Sequence, residues 1–265
     1  MQKCATTALA SWLVRNGIAE YMLHRTKESY HFQNLTYDDL QPPMINEIWR
    51  LDASVGYWPH HEILEKIASK RVKVILAFRN YWDRTWSAYV MNKEQFKVHG
   101  WNWKRFAGGA SFDTNGRMIS SFDHEIENLL RGDFLTRIQY ELEFFRTHGK
   151  YPHMSILQHS QFSSALTNVL QHFTSTEVIC VNVESLSKEE NRDKLALIFN
   201  KNQTPDTIIP ELVSSSSSEK PNFAEAEFLS LRSVFRKDFE ILTNTISQVS
   251  LDCSFINFDV LDPDF

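Results

Sequence analysis

Val74-Ile-Leu-Ala-Phe-Arg-Asn-Tyr-Trp-Asp-Arg-Thr-Trp-Ser-Ala-Tyr89 is the stretch on which the fold turns. From Val72 to Phe78 the chain is almost continuously apolar and rich in β-branched residues, as a parallel strand buried on both faces requires. The run stops at Arg79-Asn80, and from about Trp82 to Gln95 the sequence predicts a long helix. In open α/β sheets, ligands bind where strands end and helices begin. Arg79 at the strand end and Ser87 two turns into the helix can face a common point. Together they offer forked charged donors and a hydroxyl, a good pair for a phosphate. Taken alone, Arg79 reads better as a surface partner of Asp83.

A second stretch carries the same kind of chemistry. Met1-Gln-Lys-Cys-Ala-Thr-Thr-Ala-Leu-Ala-Ser-Trp-Leu13 places Lys3, Thr6 and Thr7 ahead of an apolar run with helical spacing, predicted over residues 5–16 and stopped by Gly17. The first N–H groups of a helix lack partners within it and favour negative charge, so a lysine and two hydroxyls at its mouth make an anion site. The same residues also fit a plain helix cap. A Walker A loop is excluded, because the stretch holds no glycine. A phosphate loop of this kind ordinarily follows a buried strand, and here the sequence opens at the loop. The first strand is therefore expected to be missing.

Outward from these stretches, further strands are expected at 47–52, ending in Ala53-Ser54, and at 177–183, closed by Glu184-Ser185-Leu186. Helices are expected from Pro59 to Ser69 and over 121–131, 134–147, 160–173, 191–200 and 224–246. Residues 33–46, 97–120 and 201–222 read as loops, and Cys253 to Phe258 as a strand-like end. Strands alternating with helices imply one α/β domain over residues 1–265, with a parallel sheet flanked by helices on both faces. Lys3, Ser54 and Arg79 all fall at strand ends, which brings them to one edge of such a sheet.

Composition narrows the function. Net charge is −5, which argues against a general nucleic-acid binder and leaves room only for a local basic pocket. Cys4, Cys180 and Cys253 are too few and scattered for a disulfide framework or zinc cluster. Free thiols are expected, with a Cys180–Cys253 bridge as the alternative in an oxidising compartment. No segment approaches the length of a membrane span. No set of residues has metal-ligand spacing, and no metal is expected.

Together the two stretches resemble the nucleotide-binding motifs of the sulfotransferases that use 3′-phosphoadenosine 5′-phosphosulfate (PAPS). That family carries a Lys-x-Gly-Thr-Thr-x-Leu loop and an Arg-Asn-Pro-x-Asp-Arg-x-x-Ser-x-Tyr segment. They stand here as Lys3-Cys-Ala-Thr-Thr-Ala-Leu9 and Arg79-Asn-Tyr-Trp-Asp-Arg-Thr-Trp-Ser-Ala-Tyr89. Other segments keep the family's order. Lys27-Glu28-Ser-Tyr-His-Phe32 resembles a Lys-Glu-x-x-x-Phe stretch of glycan sulfotransferases, and Asp52-Ala-Ser-Val-Gly-Tyr57 an Asp-Lys-Ser-x-x-Tyr stretch. Val181-Asn-Val-Glu-Ser-Leu186 and Lys220-Pro221 resemble a late strand with its Glu-x-Leu end and a C-terminal nucleotide loop. Ala5, Ala53 and Tyr81 replace a glycine, a lysine and a proline of the pattern, and the proline is the exchange expected to matter least.

The resemblance implies a P-loop-like three-layer fold and transfer of a sulfuryl group from PAPS to a hydroxyl or amine of a carbohydrate or small hydroxylated acceptor. Lys3 would stabilise the departing phosphate. Thr6 and Thr7 would hold the 5′-phosphate, Arg79 and Ser87, with Lys220 as a helper, the 3′-phosphate, and Ser54 would hydrogen-bond the nucleotide or merely end a strand. Glu28 would act as the base, a role contributing ~10²–10⁴-fold; His31, His60 and His61 are alternatives. Trp101 and Trp103 can stack on an acceptor. The product would be adenosine 3′,5′-bisphosphate. Competing expectations are a degenerate member that binds nucleotide or a partner without turnover, and a P-loop nucleotide kinase. The compartment stays open. The Golgi lumen suits eukaryotic glycan enzymes, behind an anchor outside this sequence, and the cytoplasm suits bacterial ones.

Overall fold

The computed structural model describes residue 4 and residues 6–22, 44–45, 48–54, 56–70, 72–99, 132–152, 155–199, 220–251 and 255–264. Helix α1 (Thr6–Arg15) buries Leu9, Ala10, Trp12 and Leu13, a stripe at helical spacing. Gly17 ends it at φ 63°, left-handed backbone that glycine adopts without strain. The chain then enters strand β1 (Ala19–Tyr21), which pairs in parallel with β3 (Ile48–Leu51), Ala19 opposite Trp49 and Tyr21 opposite Leu51. A short strand β2 (Met44–Ile45), inside the segment expected to be loop, pairs antiparallel with β3.

Helix α2 (His61–Ala68) buries Leu64 and Ile67 and leads to β4 (Val74–Phe78). β4 pairs in parallel with β5 (Val178–Asn182) along its whole length, Val74 opposite Val178 and Phe78 opposite Asn182. Between them come α3 (Tyr81–His99), α4 (Phe134–His148) and α5 (Phe162–Leu170). After β5 follow a 3-10 turn (Val183–Ser187), α6 (Glu189–Ile198), α7 (Leu229–Gln248) and α8 (Phe258–Leu261). Among the described residues no helix is long and apolar enough to cross a membrane.

The protein is therefore mixed α/β with parallel strand pairs. Among the described residues its strands form two sheets, β1-β3-β2 and β4-β5, where one continuous sheet was expected. Of the strand-like end expected at Cys253 to Phe258, the described part, 255–258, is not a strand. Phe255 O accepts from Asn182 N (2.8 Å) and from Ser185 Oγ (2.7 Å), and Phe258 starts α8, whose cap is the Asn257 side chain accepting from the Asp259 N–H.

Two buried carboxylates knit the helices around β4 and β5. Asp238 of α7 accepts from Tyr81 Oη (2.7 Å), Phe162 N (2.8 Å), Ser163 N (3.2 Å) and Ser163 Oγ. Burial raises its pKa, and the bonds from Ser163 and Tyr81 oppose that. Tyr81 also stacks with Phe162 and Phe235, at centroid distances of 4.5 and 5.1 Å. Its exchange for the proline of the resembling pattern is thus a core feature, against the expectation that it would matter little. Glu141 of α4 accepts from Arg137 Nε (2.6 Å), Ile156 N and Leu157 N (both 3.0 Å) and Ser155 Oγ. Cys4 and Cys180 are buried free thiols.

Candidate functional site

Arg79 follows directly on β4, and Asn80 turns the chain into α3. The Asn80 side-chain oxygen accepts from Trp82 N (3.0 Å) and Asp83 N (3.2 Å), and its amide nitrogen donates to Val260 O (3.0 Å). Asn80 is thus the cap of α3 and its tie to the C-terminal segment, two roles that the motif alone did not disclose. The Arg79 side chain is only 14% exposed. Its guanidinium lies 3.9 Å from Asp83 Oδ2 and 3.8 Å from Glu184 Oε1, too far for hydrogen bonds. Arg79 Nε and Glu184 Oε2 are buried and have no hydrogen-bond partner among the described residues.

Glu184 is placed by the turn after β5. There Asn182 Oδ1 accepts from Ser185 N (3.2 Å), and Ser185 Oγ donates to Asn182 O (2.7 Å). Burial pushes the Glu184 carboxyl above its ordinary range, and Arg79 opposes the shift. Lys220 reaches in from the C-terminal part of the chain and donates to Asp83 Oδ1. The cluster is therefore two cations and two carboxylates at the carboxyl ends of β4 and β5. Its guanidinium attracts anions, and the guanidinium Nε has no hydrogen-bond partner among the described residues.

The start of the chain comes to the same place. Cys4 is fully buried, and burial raises its thiol pKa. Arg84, Arg79 and Glu184 are all near enough for their charges to act on it. The loop ahead of α1 thus reaches the end of β4. Thr6 is half-buried and Thr7 exposed. Thr6 lines a cavity with Ser54, just beyond β3. The Ser54 hydroxyl is already engaged, donating to Asp52 Oδ1 (2.6 Å), while Tyr57 Oη donates to Asp52 Oδ2 (2.6 Å). Ser54 therefore closes the end of the strand with its hydroxyl. Ser87 is half-buried on α3, one turn past Asp83 and so on the same helix face.

The structure thus gathers Arg79, Lys220 and the Cys4 end of the loop, joined by Asp83 and Glu184. Thr6 and Ser54 lie together in the neighbouring cavity. Lys3, Ala5, Glu28, His31, Trp101, Trp103 and Cys253 lie outside the described residues. Of the described alternative bases, His60 is exposed and His61 pairs with a second ring. His61 Nδ1 is 3.2 Å from His172 Nε2, and His159 accepts from Trp58 Nε1 (3.3 Å). Burial first, then Arg84, pushes the His159 pKa down to about 3, so the ring stays neutral. Arg84, beside Arg79 in the motif, is wholly buried. It donates to Ile156 O and to Ser160 Oγ (2.9 Å), so it braces α3 from within.

No protein-family model, curated protein or solved structure matches the chain. The class that fold and site define is an α/β protein with a partly buried cationic cluster at its strand ends.

Proposed function

We propose that this protein is a sulfotransferase that takes PAPS as donor and a hydroxyl or amine of a carbohydrate or small molecule as acceptor. The observation that supports the reading is Arg79 at the end of β4, whose buried Nε has no hydrogen-bond partner among the described residues. A guanidinium held this way is pre-organised for an anion. A phosphate would supply the charged, bidentate acceptor that Asp83 and Glu184, at 3.9 and 3.8 Å, do not. Lys220, released from Asp83, would add a second cation. Thr6 and Thr7, in the first turn of α1, would meet the phosphosulfate end. In-line transfer asks mainly for positioning and for charge neutralisation at the leaving group, and Lys3 is the residue for the latter. Glu28 is the proposed base. The P-loop-like character of the fold belongs to this same reading.

Thermal shift tests it. Adenosine 3′,5′-bisphosphate is expected to raise Tm, since a ligand that binds only the native state stabilises it. ATP with Mg²⁺ is expected to raise it less, and Arg79→Ala to abolish the response. An equal response of wild type and Arg79→Ala rejects the site. Turnover of PAPS with an acceptor panel, lost in Glu28→Ala, then separates catalyst from binder. The non-catalytic alternative is favoured by one observation, the Ser54 hydroxyl already spent on Asp52. Saturable binding without turnover would establish it.

A further inference from the structure

His61 is the first residue of α2, and His172 stands in the turn just past α5. They are 111 positions apart in the chain, so no local spacing pairs them. The fold nevertheless sets His61 Nδ1 3.2 Å from His172 Nε2. The two rings are tilted by 53°, with centroids 5.4 Å apart. His61 is exposed and His172 half-buried, so the pair faces solvent.

The backbone fixes both positions. Leu64 N donates to His60 O (3.1 Å), which closes the first turn of α2. His172 N and Phe173 N both donate to Val169 O (3.0 Å each), which holds the turn after α5. Leu64, Ile67, Val169 and Phe173 are buried and line one cavity of about 180 Å³. Each histidine is thus carried by an element anchored on the same apolar cluster. A lone N–H···N bond open to water adds little to such a contact.

Neutral imidazole is the commonest metal ligand, and it suits zinc, nickel and copper. Two nitrogens about 2.0–2.1 Å from one ion stand ~2.9 Å apart at a right angle and ~3.3 Å apart at a tetrahedral angle. The observed 3.2 Å falls between these values. The exposed ring of His61 is free to turn until both lone pairs meet on one ion. Each neutral ring then carries its single proton on the nitrogen away from the metal, and no net proton is released. α2 also carries Glu62, Glu65 and Lys66, two carboxylates against one lysine. Glu65 is exposed and one turn on from His61, so it adds negative charge on the same face. Among the described residues no group of three or more candidate ligands is present, so water must complete the shell.

We infer that His61 and His172 form a two-histidine chelate for one divalent transition-metal ion of the Cu²⁺, Ni²⁺ or Zn²⁺ kind. The bound ion ties the start of α2 to the turn after α5 and so fixes one wall of the cavity between them. The site shares no residue with the cationic cluster at the strand ends and needs none of the donor chemistry.

Full-length protein stripped of metal with EDTA is titrated with Cu²⁺, Ni²⁺, Zn²⁺ and Mg²⁺, and binding and Tm are read. At a hundredfold excess over Kd, Tm is expected to rise by about 5 °C. Cu²⁺ should bind more tightly than Ni²⁺ or Zn²⁺, and Mg²⁺ should do nothing. His61→Gln and His172→Gln are each expected to weaken binding by ~10-fold or more, the loss that even an outer partner of a metal ligand causes. His148→Gln, at an exposed position on α4, is expected to leave it unchanged. Metal-free Tm values checked against wild type show that the variants fold. Should half-buried His172 resist exchange, paramagnetic resonance of wild type with one equivalent of Cu²⁺ counts the imidazole nitrogens directly. Two nitrogens, with one lost in His61→Gln, sustain the chelate. Equal binding by wild type and both variants, or none by wild type, leaves a hydrogen-bonded pair only and overturns the site. Loss in one of the two variants alone overturns the chelate.

Discussion

The two sheets of this protein are held in different ways. β4 and β5 match residue for residue, every residue of β5 is buried, and the fully bonded carboxylate of Asp238 locks the helices beside them. β3 has neighbours on both edges, but its register with each is short and its residues are all only half-buried. A parallel strand gains its stability from cover on both faces. The β4–β5 half has that cover, whereas β3 lines two cavities of about 180 and 140 Å³. The candidate site belongs to the first half, where the backbone is most constrained. The part of the chain that would complete it, through Thr6 and Ser54, borders the second.

The largest test of this contrast is Asp238→Ala. Tyr81 Oη, Phe162 N and Ser163 N would lose their buried acceptor. Unfolding in urea is expected to show a loss of about 4 kcal/mol, the scale of a buried polar network broken from one side. A loss under about 1 kcal/mol would remove the distinction between the halves.

Next in size is a matched pair of truncations. Ile179→Ala, in the buried strand β5, is expected to cost about 3 kcal/mol, and Leu51→Ala, in half-buried β3, about 1 kcal/mol. Equal costs would mean that the cavities lined by β3 do not weaken that half.

The smallest effect concerns pH. The folded-state pKa of Glu184 is raised by burial. Its contribution is therefore fully present below the ordinary carboxylate range and is lost as pH rises through the raised value. Glu184→Gln is expected to flatten that decline. Because the side chain is 34% exposed, the difference between acid and neutral pH should stay below about 1 kcal/mol. Parallel stability–pH curves for wild type and variant would show that the carboxyl is as well solvated as one on the surface.

Much of the β4–β5 half was legible in the chain. Unbroken apolar runs predicted β4 and β5, Gly17 marked the end of α1, and the apolar stripe of α7 was evident from Phe228 onward. β1 was not legible. Ala19-Glu20-Tyr21 has neither alternation nor an apolar run, and only its pairing with β3 makes it a strand. Within the site, Arg79 and Lys220 were anticipated as cations. The bond of Lys220 to Asp83, the approach of Cys4 to Arg79, and the capping role of Asn80 join residues distant in sequence or depend on side-chain direction. No local pattern encodes them.

Periodicity and composition, which are local properties, determined on their own that this is an α/β chain with an arginine at the end of a buried strand. They also determined that a hydroxyl-rich segment opens a helix. Tertiary structure alone decided that Lys220 meets Asp83 beside Arg79, that Tyr81 serves the core, and that the described strands form two sheets. Burial, partner distance and strand edges arise only once remote segments are packed together.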